Sequence, residues 1–416
     1  MSSGREHNLS GLMAGAILCM CCALALYPFE AASAPGNQPS DIVGTPMLGW
    51  NDPPAETCKT DLTSQLQTLN VPGLAAAVIK NGRVVCTAVA GMADIEQKKR
   101  VTPDTLFLIA SVSKTITATA LMQLYDERKF QLDDDINKYL PFRVRIPASP
   151  GSPITFRQLL NHTSSIKDNT TYINCPGTCA YGSTLTSTVT RGADSPISLA
   201  DLTREYLTPG GAYYDQTKNF EPGPPGTKSE YSNMGIVLAG YLVEVISGMS
   251  FDQYCRDNIF LPLGMRKTSW RLAGIDQSIL AVPYDKTSSG YVPYGQYGEP
   301  DYPDGMLRTS ANELAYFVIA YMQGGRYRGQ RILKSRTVRE MLRAQTSLDS
   351  SQGLAWSSQS IDGRTVWGHD GDDNGAGTKM WLDPANKVGV ILMTNGIWKD
   401  DDNALLTALF REAARY

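Results

Sequence analysis

Strand-like segments stand near both ends of this 416-residue chain, and helical patterns fill the space between them. Residues 74–90, "LAAAVIKNGRVVCTAVA", read as two strands joined by Asn81-Gly82, a dipeptide whose tolerance of positive φ suits a two-residue hairpin. Toward the other end, "RTVWGH" (364–369), "TKMWLD" (378–383) and "VGVILMTN" (388–395) alternate or run apolar over strand lengths. The segments 112–128, 155–161, 199–207, 233–247, 251–259, 311–322 and 335–344 carry helical periodicity instead. Strands so far apart in sequence most simply share one antiparallel sheet. An α+β fold follows, with helices layered on that sheet and a helical lobe beside it. The main domain is expected over 60–400, with 401–416 as a helix packing on it. Residues 164–198 and 208–228, rich in Thr, Ser, Gly, Pro and Tyr, read as long surface loops.

The first residues have a different character. "LSGLMAGAILCMCCALALY" (9–27) is uncharged, follows Arg5 and gives way to "AASA". This is the pattern of a secretory signal over 1–34, cut after Ala34, with 35–59 as an extension and the mature protein periplasmic or secreted. Membrane contact is expected only through that segment if it stays uncleaved. A net charge of −3 offers no attraction to nucleic acid. In an oxidising compartment Cys58 can reach Cys86, Cys175 and Cys179 can close a small loop, and Cys255 fits a helix core. No Cys/His cluster has zinc spacing, and after the signal only His162 and His369 remain, so neither metal nor cofactor is expected.

The stretch "FLIASVSKTITATALMQLY" (107–125) has one charged residue, Lys114. A helix beginning near Ser111 puts Lys114 one turn later on the same face. That helix reads as buried nearly all round, where an unpaired ammonium costs several kcal/mol. A desolvated lysine of lowered pKa could help activate the serine, with the helix N-terminus favouring a developing oxyanion. The competing histidine triad lacks a G-x-S-x-G elbow, and His162 in "LLNHTSSI" reads as a capping or loop-packing residue. In "EPGPPGTKSEYSNMG", Tyr231-Ser232-Asn233 stands before an amphipathic helix. A phenol beside Lys114 could exchange a proton with Ser111, and Asn233 adds a donor and an acceptor; the plain alternative is a helix cap by Ser232 or Asn233. In "VWGHDGDDNGAG", glycine would let a substrate approach an edge strand, while Asp372, Asp373 and Asn374 also read as ordinary solvated turn residues.

Taken with "ITFRQLLNHTSSI", "IFLPLGM" and "DGMLRTSANELAYF", these motifs resemble the serine β-lactamase-like hydrolases related to class C β-lactamases, D-alanyl-D-alanine carboxypeptidases, D-aminopeptidases and family VIII carboxylesterases, over residues 60–400. The resemblance implies Ser111 as acylated nucleophile, Lys114 as its partner, Tyr231 as general base and acid, and Asn233 as the group that positions the acyl-side amide. It places His369-Asp370-Gly371 where true β-lactamases carry K-T-G, so His369 and Gly371 would contact substrate. The oxyanion hole would use the backbone N–H groups of Ser111 and, nominally, Asp372. Without the K-T-G lysine, the chain looks more like the esterase and aminopeptidase branches, acting on a small-molecule or peptide substrate. A D,D-peptidase or β-lactamase, and a catalytically silent binding protein on the same fold, are the competing readings.

Overall fold

A computed structural model describes residues 55–169, 189–398 and 403–416. The expected signal segment and the Cys175/Cys179 loop lie outside the described residues. Seven strands form the path of the main sheet: β1 (Glu56–Thr57), β2 (Gly73–Lys80), β3 (Arg83–Asp94), β4 (Ser357–Ile361), β5 (Arg364–Asp373), β6 (Ala376–Asp383) and β7 (Val388–Thr394). Their order is β1-β3-β2-β7-β6-β5-β4. The two chain ends meet where β2 pairs antiparallel with β7, Val78 opposite Val390. The expected hairpin forms at Asn81 (φ 50°) and Gly82 (φ 80°). Only β1 departs from the antiparallel expectation, lying parallel to β3.

Both faces of the sheet are covered at its centre, which is why residues 74–79 of β2 and 388–393 of β7 carry no polar side chain. Ala75, Ala77 and Ile79 of β2 enter the larger core, whereas Leu74, Ala76 and Val78 enter a second core with Leu405, Leu406, Leu409 and Phe410. The alternation is that of any extended strand. Six helices matter here: α1 (Ser113–Asp126), α2 (Phe156–Leu160), α3 (Leu199–Leu207), α4 (Asn233–Ser247), α5 (Ala311–Met322) and α6 (Asn403–Glu412). Helix α6 covers the second face, and α1, α4 and α5 belong to the larger core.

Cys58 and Cys86 are disulfide-bonded, and Cys255 is free and buried. The bridge ties β1, which the sequence assigned to an extension, to β3. Closing its separation of 28 residues stabilises the fold by about 3–4 kcal/mol in the chain-entropy account. Two expectations change. The segment 251–259 is a short helix, Phe251–Cys255, followed by a π turn, Arg256–Phe260. The supposed surface loops also run inward, since Ser164, Ile166, Asn169 and Asn219 are buried. Asn219 explains this by donating to the carbonyl oxygens of Tyr206 and Tyr213, so buried backbone is satisfied by a side chain.

Candidate active site

The helix expected to begin near Ser111 begins at Ser113, and Ser111 itself sits on the 3-10 turn Ala110–Val112 that leads into α1. Ala110 has φ 46°, a left-handed conformation that costs energy for a residue with a Cβ. What holds the turn is β5. A Cβ built on Gly371 would lie 2.4 Å from the carbonyl oxygen of Ile109 and 2.9 Å from the backbone nitrogen of Ser111. The glycine therefore makes room for the protein's own serine turn, whereas the sequence suggested room for substrate. Beyond Gly368, the last partner of β4, residues His369–Asp373 pair with β6 alone and leave the local edge expected there.

Lys114 is fully buried. Its Nζ donates to Ser111 Oγ at 2.9 Å and to the carbonyl oxygen of Asp304 at 2.9 Å, with the Asp304 carboxylate 3.7 Å away. Asp304 is fixed because Thr117 of α1 donates to Pro303 O at 2.5 Å and the Leu307 N–H donates to Ser113 Oγ at 3.2 Å. Burial favours a neutral amine, but Tyr231 and Asp304 outweigh it, and the Lys114 pKa ends above its ordinary value. This corrects the expectation of a lowered pKa: Lys114 is a standing cation at neutral pH.

Tyr231 stands over this ammonium, its ring centroid 5.2 Å from Nζ. The side chain is 46% exposed, so a substrate can reach it. Desolvation of the phenol pushes its pKa up, opposed by Lys114 and Ser111, and the net direction is upward. The phenol is thus protonated at rest, although Lys114 by itself makes it more acidic. Ser232 caps α4, accepting from the Gly235 N–H at 2.9 Å. The Asp168 carboxylate accepts from the N–H groups of Asn233 (2.9 Å) and Met234 (3.0 Å), where helix geometry leaves donors unpaired. These caps fix Tyr231 and Asn233 at the cleft. His162 packs its ring 4.6 Å from that of Tyr231, and its Nδ1 accepts the Ser232 N–H. Burial drives its pKa to about 3, so it is a neutral support for the tyrosine, in line with a packing role.

Ser111, Tyr231, Asn233 and His369 line one cavity of about 370 Å³, together with Gly305 and five aspartates: Asp168, Asp304, Asp370, Asp372 and Asp373. His369 is held near pKa 4 by burial and by Lys114, hence neutral at pH 7. Asp370 turns away to Lys379 (3.0 Å) and Trp381 Nε1 (2.6 Å). Asp372 is exposed, and it follows Gly371 on the strand that touches the serine turn. Asp373, read from sequence as a solvated turn residue, is instead buried on β5.

The family model described as Beta-lactamase matches residues 60–414. The chain belongs to the beta-lactamase family, whose members are serine hydrolases. It is 26% identical over 260 residues to Protein flp of Staphylococcus aureus (strain MW2), a match covering 62% of this chain and 47% of that protein. It thus spans about half the length of the curated relatives of that kind. Penicillin-binding protein 4 of Amycolatopsis lactamdurans is 26% identical over 366 residues, 82% of this chain and 85% of the relative. In fold, D-amino acid amidase from Ochrobactrum anthropi SV3 superposes with a TM-score of 0.66 at 21% identity, covering 85% of this chain and 97% of the amidase. Sequence reasoning missed Asp168 and Asp304. The aspartate of "SSIKDN" stands in none of the motifs above, and that of "YPDGM" opens the stretch "DGMLRTSANELAYF" without a role being assigned to it; the one signal for either was the need of a buried Lys114 for a partner.

Proposed function

We propose that this protein is an exported serine hydrolase that cleaves an ester or amide through an acyl-Ser111 intermediate. The observation that carries the reading is the 2.9 Å contact between a buried ammonium and the hydroxyl of Ser111 on a strained turn, with Tyr231 over the same ammonium. Because the phenol is protonated at rest, the proton route is a relay. As Ser111 Oγ attacks the carbonyl carbon, its proton passes to the Tyr231 oxygen, and the proton already on that oxygen passes to the leaving group. Water then repeats the relay in reverse, giving a proton to Tyr231 while Tyr231 returns one to Ser111 Oγ. Lys114 stabilises the negative charge that builds on both oxygens. The oxyanion is assigned to the backbone N–H groups of Ser111 and Asp372.

His369 supports one substrate class over the other. A lysine in its place would hold a substrate carboxylate, but this histidine is neutral at pH 7 and stands among aspartates. Short p-nitrophenyl esters or amino-acid amides are therefore expected to give a higher kcat/KM than nitrocefin or benzylpenicillin. His369→Lys is expected to narrow that gap by about ten- to a hundredfold, the worth of a charge-assisted hydrogen bond. Efficient β-lactam hydrolysis by the parent, with no esterase or amidase activity, would overturn the reading in favour of a β-lactamase.

Export belongs to the same proposal. It is supported by the uncharged 9–27 run and by the Cys58–Cys86 disulfide, a bond that persists in oxidising compartments. N-terminal sequencing from the native host is expected to find a start near residue 35 in a periplasmic or secreted fraction. Intact Met1 in cytosol would refute it.

A further inference from the structure

Three carboxyl groups face the interior around Ser111, and two of them have a task in the fold. Asp168 caps α4. Asp304 secures Lys114 through its carbonyl oxygen and flanks it with its carboxylate. Asp373 holds only its local turn and a tyrosine: Oδ1 accepts from the Asn374 N–H at 2.6 Å, and the Tyr297 hydroxyl interacts with the carboxylate. Strand alternation puts Asp373 on the same side of β5 as His369 and Gly371, the side that meets the serine turn. Its Oδ2 faces the residue after Asp304, since a Cβ built on Gly305 would lie 3.7 Å from it.

Positive charge in this region is scarce. Lys114 is shared among Ser111, Tyr231 and Asp304, and both histidines are neutral at pH 7. Arg308 acts on Asp373 only through its charge, its guanidinium donating to the carbonyl oxygens of Met306 and Tyr297. Buried carboxylates in excess of buried cations are costly unless a proton or an outside cation completes them. Asp304 already inclines toward the proton, its pKa pushed up to about 7 by burial despite Lys114. A second, independent observation points the same way. Asn233 is 9% exposed, lines the same cavity, and its side-chain oxygen has no hydrogen-bond partner. An acceptor and two carboxylates, all buried in one cleft, call for a cationic donor.

We propose that Asp373, Asp304 and the Asn233 side-chain oxygen form a subsite for a primary ammonium group on the acyl part of the substrate. The match is one of number and charge, because an ammonium carries three N–H donors and the subsite offers three acceptors, two of them acidic. The inference rests on the hydrolase reading for its meaning, but binding can be measured without turnover. The amine of an amino-acid amide, with an α-amino pKa of about 8, is still mostly charged at pH 7.

The experiment is calorimetry at pH 7 on the Ser111→Ala variant, which cannot consume the ligand through that serine. The probes are phenylalanine amide, in each enantiomer, and 3-phenylpropanamide, which differs by loss of the ammonium alone. At least one enantiomer is expected to bind tenfold or more tightly than the desamino amide, and adding Asp373→Asn should reduce that ratio at least fivefold. Equal affinities in Ser111→Ala, or a preference unchanged by Asp373→Asn, would overturn the subsite. If the double variant shows no cooperative melt, the comparison in Ser111→Ala alone decides. Failure of the hydrolase reading looks different: neither the amine-bearing nor the desamino p-nitroanilide is turned over by the parent, whatever the affinities.

Discussion

Ser111→Ala is expected to lower turnover of every ester and amide substrate by on the order of a thousandfold or more, with the folded structure kept. The substitution removes one oxygen from a turn whose shape is set by its neighbours. Ala110 retains its φ of 46°, Gly371 still admits the turn against β5, and Lys114 keeps its 2.9 Å bond to the Asp304 carbonyl oxygen. Alanine therefore costs little in folding and removes the hydroxyl to which Nζ of Lys114 donates at 2.9 Å. Initial rates on p-nitrophenyl esters, with a thermal melt as control, check this. The parent should also gain the mass of a fluorophosphonate probe at Ser111, and the variant should not. Parent-like turnover in a well-folded variant would sink the assignment and leave a silent binding protein on the same fold.

The parts of this fold that depend on local pattern were legible in sequence. Asn81-Gly82 announced its hairpin, and the apolar runs at 74–79 and 388–393 announced strands. Ser111, Lys114, Tyr231, Asn233 and His369 were found because each sits in a short motif. Residues that act through the third dimension were not legible. Asp304 reaches Lys114 across 190 positions, and Asp168 caps a helix that starts 65 residues later. Asp373 misled in a different way: a run of Asp-Asp-Asn beside glycine has the composition of a turn, and only the register of β5 against β6, with Asp373 opposite Ala376, turns it inward. Electrostatics was the least legible quantity, since the sign of a buried lysine's shift depends on whether carboxylates surround it.

That sign can be tested through Lys114→Met, which keeps most of the aliphatic stem and removes the charge. Activity is expected to fall by on the order of a thousandfold, because Ser111 and Tyr231 lose the group that stabilises charge on their oxygens. Stability is expected to fall by about 3–5 kcal/mol, the usual result of removing one partner from a buried ion pair. The pH dependence carries the sharper information. In the parent, the folded-state pKa of Asp304 is raised to about 7. A carboxyl whose pKa is raised on folding contributes stability at low pH that is lost as pH climbs from its unfolded value toward its folded one. Without Lys114 the folded value rises further, so the variant goes on losing stability above pH 7, after the parent has finished. Lys114 itself, with its pKa raised, stays charged throughout this range and adds no slope to the parent. The stability gap between parent and variant, read from urea denaturation at pH 5.5, 7 and 8.5, should therefore widen above pH 7. With Lys114 charged the gap should also stay level between pH 5.5 and 7, where Asp304 is protonated in both folded proteins. A gap that already widens across that interval would mean that Lys114 is largely neutral in the folded protein, since a lysine whose pKa is lowered on folding adds stability with rising pH, and it would restore the lysine as a proton acceptor and displace the relay through Tyr231.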